Sequence, residues 1–92
     1  MARSKSMPRL LTMQRTIVPQ SERKKYFERL KLKRDYFLRA ECRFWAFEEA
    51  SLPGAFIEFI EASDLQTLMD AQAGAPGTIL DPNRIYREVE LS

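Results

Sequence analysis

Residues 42–61 read CRFWAFEEASLPGAFIEFIE, and this stretch decides the fold. Two runs rich in aromatic and apolar residues, Cys42–Phe47 and Ala55–Glu61, flank the turn signal Ser51-Leu52-Pro53-Gly54. That arrangement predicts an antiparallel hairpin. The first run is suited to a strand covered on both faces. The second sets one carboxylate, Glu58, among Phe56, Ile57, Phe59 and Ile60. A carboxylate so placed must be paired, reach water at a sheet edge, or be hard to ionise.

On the N-terminal side, no Gly or Pro interrupts the chain from Ser21 to Leu52. At 100° per residue Tyr26, Phe27, Leu30, Phe37, Leu38 and Ala40 share one arc, while Lys24, Lys25, Lys31 and Arg39 lie outside it. The spacing predicts an amphipathic helix from Ser21, its N-cap, to about Glu41. Before it, Leu10–Val18 sets Leu11, Met13 and Ile17 against Thr12, Gln14 and Thr16, a strand that stops at Pro19. Beyond the hairpin, Ser63 or Asp64 caps a short helix carrying Leu65, Leu68 and Met69, which Gly74, Pro76 and Gly77 end. A last alternating run, Ile85–Leu91, reads as a strand. The order is β-α-β-β-α-β, a ferredoxin-like α+β fold with a four-stranded antiparallel sheet and both helices on one face. The other face is partly apolar and needs cover, so a homodimer is expected, two sheets closing into an α+β barrel with an inner cavity.

Composition limits the chemistry. The 92 residues, 45% apolar and 30% charged, make one small domain: residues 10–92, preceded by a flexible basic arm at 1–9. With no His, nucleophile systems that rely on imidazole and His-ligated haem or zinc drop out. One cysteine, Cys42, allows neither an intrachain disulfide nor a thiolate zinc site, and it reads as a buried small hydrophobe in a cytoplasmic protein. Asp35, Asp64 and Asp81 are too scattered to specify a metal, and Gly54, Gly74 and Gly77 form no phosphate loop. No run is long enough to span a membrane. Residues 1–43 hold 13 Lys or Arg against four acids, and the rest of the chain is acidic. Arg9, Arg15, Arg23, Lys24 and Lys25 gather near the start of the first helix, which suits an anion. Nucleic acid is nevertheless the least favoured partner, because the glycine-framed aromatic signature of an RNA-binding sheet is missing.

The element order, with Gln14-Arg15 at the first strand, Glu58-Phe59-Ile60 followed by Glu61 at the third, and Met69 on the second helix, resembles the dimeric α+β barrel superfamily, in particular antibiotic-biosynthesis-monooxygenase-like domains. In that family the matching positions hold an Asn-Arg-like pair, a Glu-x-Trp and a His. Ile60 therefore replaces the Trp and Met69 the His, and haem degradation that relies on that His is not carried over. The resemblance implies that Gln14, Glu58 and Ile60 point into the barrel and that no cofactor is needed. It also implies oxygenation, cyclisation or isomerisation of a small apolar or aromatic molecule.

On this expectation Glu58 is the general acid or base and Gln14 orients the ligand, while Trp45, Phe56, Ile60, Met69 and Thr12 line its site. The alternative to a catalytic Glu58 is an edge strand on which it reaches water or pairs with Arg43 or Arg15. At the level of the whole protein, the alternative is a non-catalytic ligand-binding or assembly module.

Overall fold

A computed structural model of the chain describes residues 9–77 and 81–91. Strand β1 (Leu10–Ile17) leads through a 3-10 turn (Gln20–Glu22) into α1 (Arg23–Arg39). Then come β2 (Arg43–Glu48), β3 (Ala55–Ala62), α2 (Leu65–Ala73) and β4 (Tyr86–Arg87). The strands form one antiparallel sheet in the order β2-β3-β1-β4. This is a four-stranded α+β fold with two helices, compatible with the expected ferredoxin-like pattern. Of the expected N-terminal arm, residues 1–8 lie outside the described residues. Arg9 is tied down, its backbone N–H donating to Glu88 Oε1 at 3.2 Å and its carbonyl accepting from Glu88 N at 2.8 Å.

The β2–β3 hairpin forms where the aromatic run meets the Pro-Gly turn. Gly54 adopts φ +95, a left-handed conformation that favours glycine, and a Cβ there would stand 3.0 Å from the Val18 carbonyl. The Gly54 carbonyl accepts from Val18 N at 2.7 Å, and the Gly54 N–H donates to the Glu48 side chain at 2.9 Å. The tip of the hairpin is thereby pinned to the end of β1. β2 is an edge strand with one face open, against the expectation of cover on both, because none of the described residues covers Trp45 and Phe47.

Helix α1 begins one residue later than a Ser21 cap implies. Ser21 lies in the 3-10 turn, and the N-cap is Glu22 with no side-chain cap hydrogen bond. At the C-terminal end, Cys42 N donates to Phe37 O at 2.8 Å and Glu41 N to Leu38 O at 3.1 Å, with Glu41 at φ 64. This is the Schellman pattern of a helix terminus. It buries Cys42 against Phe37 in the core. Asp64 caps α2, accepting from Thr67 N at 2.8 Å.

The core lies between the helices and one face of the sheet, in two apolar clusters. One joins Leu10, Phe37, Cys42, Ile60, Ala62, Leu68 and Ala71; the other joins Val18, Tyr26 and Phe56. Glu58 sits on β3 between Phe56 of one cluster and Ile60 of the other. Strand β4 is shorter than expected. It pairs Tyr86 with Leu11 and Arg87 with Leu10, and the positions that would face Val89–Leu91 precede Arg9, outside the described residues. No described helix is long and apolar enough to cross a membrane.

Candidate functional site

Side-chain parity along the strands divides the expected site residues. Leu10 and Val18 enter the core from the two ends of β1, so Thr12, Gln14 and Thr16 between them share its helix-covered face. Leu11, Met13, Arg15 and Ile17 face outward. The register sets Gln14 directly opposite Glu58 and Thr12 opposite Ile60. Gln14 and Glu58 are therefore neighbours across the strand pair. They lie on the helix side of the sheet, however, and not on the open face that would line a barrel between two copies. Trp45 lies on that open face, opposite Phe59, and cannot share a ligand with Glu58. Of the two neighbouring aromatics it is Phe44 that turns inward, its ring stacked on Phe37 at 5.8 Å.

Three of the remaining expected residues are packing. Phe56 is buried behind Tyr26, with ring centroids 4.8 Å apart. Ile60 belongs to the larger cluster, and Thr12 is buried beside it. Met69 is exposed on α2 next to buried Leu68, and it is not among the residues that line the cleft described next.

A cleft of about 490 Å³ opens between α1 and the β1 side of the sheet, its floor including Gln14, Thr16 and Glu58 and its wall Tyr26, Leu30 and Lys33. Glu58 is only 4% exposed. The Tyr26 hydroxyl donates to Glu58 Oε2 at 2.8 Å and the Lys33 ammonium to Oε1 at 2.8 Å. Glu58 is not on an edge strand, and it is ion-paired, though to neither Arg43 nor Arg15. Its cation is Lys33, because Arg15 pairs with Glu49 and Arg43 approaches Glu61. Tyr26 and Lys33 are spaced i, i+7, two turns apart, so α1 delivers both to one carboxylate. That spacing was the available sequence signal. Tyr26 read only as part of the apolar stripe, and Lys33 was not singled out.

Burial, then the hydrogen bond to Glu58, raise the Tyr26 phenol well above its ordinary pKa, so it stays a proton donor. Arg29, whose guanidinium carbon lies 5.9 Å from the Tyr26 ring centroid, adds a second positive charge to the cleft lining. The result is a largely apolar cleft with a buried carboxylate, a phenol and an ammonium at one end. Such a set can hold a polar head group, or move a proton at Glu58 while Lys33 balances the charge. Among the described residues no cluster of three or more Cys, Asp or Glu is arranged to hold a metal.

Fold and cleft together define a small α+β chain with a polar triad between sheet and helix. No protein-family model, curated protein or solved structure matches it.

Proposed function

We propose that the protein binds a small, largely apolar or aromatic molecule in the cleft between α1 and the sheet, with Glu58, Tyr26, Lys33 and Gln14 at its polar end. The observation that carries this reading is a carboxylate 4% exposed that nonetheless borders a cleft and is held on both oxygens by side chains of one helix. Lys33 is neutralised by Glu58, and Arg29, set in a lining that also holds Glu22, is the cation left to meet an acidic group such as a phenol, enol or carboxylate.

Turnover at this site would begin with Glu58 taking a proton from a phenol or an acidic C–H. Lys33 would stabilise the resulting anion and Gln14 would fix its orientation. Proton removal of this kind is common to the cofactor-independent oxygenation, cyclisation and isomerisation that the resemblance to dimeric α+β barrel proteins implies. That resemblance also implies a homodimer over the open sheet face. The cleft draws all its residues from one chain, so the reading stands without a second copy.

Native mass spectrometry of gently purified protein tests for a retained ligand. Titration with anilinonaphthalene sulfonate, an aromatic anion, tests the cleft directly. In a Trp45→Ala background, which removes the tryptophan of the open sheet face, Arg29→Met is expected to weaken binding at least fivefold. Binding that ignores Arg29→Met there would overturn the proposal.

A further inference from the structure

Strand β2 is paired on one side only: no described strand lies along its outer edge. Glu49 N donates to Ala55 O at 2.8 Å, in line with the β2–β3 register. Bonded and non-bonded positions alternate along an antiparallel pair. Arg43, Trp45 and Phe47 therefore turn their backbone groups to β3, and Phe44, Ala46 and Glu48 turn theirs outward. Exposed edges of this kind are ordinarily shielded by a proline, a bulge or an inward-pointing charge. Arg43–Glu48 has no proline and keeps an unbroken register with β3. Its inward-pointing charge, Glu48, is held within the chain by Arg23 and the Gly54 amide. Ala46 is exposed even though it lies on the helix-covered side.

The strand is complementary to itself. A two-fold axis normal to the sheet sets two copies of β2 antiparallel and keeps every side chain on its own face, so positions of like parity stand opposite one another. With the axis at Ala46, the two alanines face each other and Phe44 faces the partner's Glu48. These are the positions whose backbone groups point outward, so each facing pair can exchange both hydrogen bonds. The Phe44 and Glu48 side chains are already engaged in their own chains, by Phe37 and Arg23. On the open face Trp45 then meets the partner's Phe47, and Arg43 the partner's Glu49, an aromatic and an opposite-charge pair. Arg43 and Glu49 are both exposed and able to reach across. An axis at Trp45 would instead set Glu41 against the partner's Glu49, and one at Phe47 would leave Arg43 opposite Ser51. One register is thus singled out by backbone direction, side-chain size and charge together.

We infer that two copies of the chain pair edge to edge through β2, joining their four-stranded sheets into one continuous sheet with all the helices on one side. This is a different assembly from two open faces closing into a barrel. It stands independently of the ligand site, which lies under α1 within one chain.

Sedimentation velocity from micromolar to millimolar protein tests the assembly, and a dimer is expected. Ala46→Pro removes the central outward N–H and leaves the ladder to β3 intact, as proline at an edge position does. It is expected to raise the dimer dissociation constant at least tenfold with the circular dichroism spectrum unchanged. Glu49→Arg, which meets the partner's Arg43, is expected to weaken the dimer as well; the exposed pair it gives up with Arg15 adds little to the fold. Ala46→Cys brings two thiols together at the axis, where facing Cα atoms stand about 5.5 Å apart, within disulfide range. Mild oxidation is expected to link that variant into a covalent dimer, which a barrel closed over the open faces could not form, since Ala46 points to the helix side. A chain that is monomeric at millimolar concentration overturns the inference. So does a dimer that ignores Ala46→Pro and Glu49→Arg and leaves the Ala46→Cys thiols unlinked, because its interface would lie elsewhere.

Discussion

Lys33 and Glu58 form a pair that neither side chain could tolerate losing. Their side chains are 13% and 5% exposed and the contact is 2.8 Å. A buried ion pair adds little net stability over an apolar pair of similar volume, because desolvation offsets the attraction. Removing one partner leaves a charge stranded. Lys33→Met alone is therefore expected to destabilise the protein by about 3–5 kcal/mol, and Lys33→Met with Glu58→Leu to recover most of that loss. Urea denaturation of the two variants and the wild type measures both effects. A double variant no more stable than the single one would show that Glu58 is held mainly by something other than Lys33.

At the scale of elements, the passage from α1 to β2 is made at a cost. Glu41 has φ 64, in the left-handed region where a side chain is strained, because the Schellman turn must aim Cys42 into the core. Glu41 is exposed and its side chain makes no contact that the turn requires. Glu41→Gly is expected to raise stability by about 1 kcal/mol, read as a higher midpoint in thermal or urea unfolding. Gly54 represents the opposite case. There the left-handed residue is already glycine, and the backbone of Val18 leaves little room for a Cβ.

At the scale of the whole molecule, Glu48 ties three parts together. Arg23 at the start of α1 grips its two carboxylate oxygens at 2.7 and 2.8 Å, and the Gly54 amide at the hairpin tip donates to it as well. The Arg23 hydrogen bonds first, then the Gly54 amide, lower the Glu48 pKa to about 2. A carboxylate whose pKa is depressed by folding contributes stability above its unfolded value, near 4.5, and loses it as the pH falls towards 2. Thermal midpoints measured from pH 7 to 2 are expected to show Glu48→Gln less stable than wild type at neutrality, with the gap closing between about pH 4.5 and 2. A gap that stays constant would mean that the clamp does not couple to folding.

Much of this architecture was legible in the chain. Apolar periodicity, Pro19, the Ser51–Gly54 turn and the Asp64 cap mark the strands and helices, since each depends on residues close in sequence. Glu58 stood out for the same reason, a lone carboxylate in an apolar run, and so did its neighbour Gln14. Which face of the sheet they share was not legible. Alternation along a strand separates two faces without saying which one the helices cover, and the polar side of β1 proved to be the covered one. The partners of Glu58 were likewise settled by the packing of α1 across the sheet, a contact between residues 25 to 32 positions apart. The sequence by itself determined the elements, their order and the absence of His chemistry, because these follow from local conformation and composition. Only the tertiary structure decided that Lys33 and Tyr26 meet Glu58 beneath α1 while Trp45 and Glu61 face the other way. Charge pairing and burial depend on what lies across the sheet, and no local pattern records that.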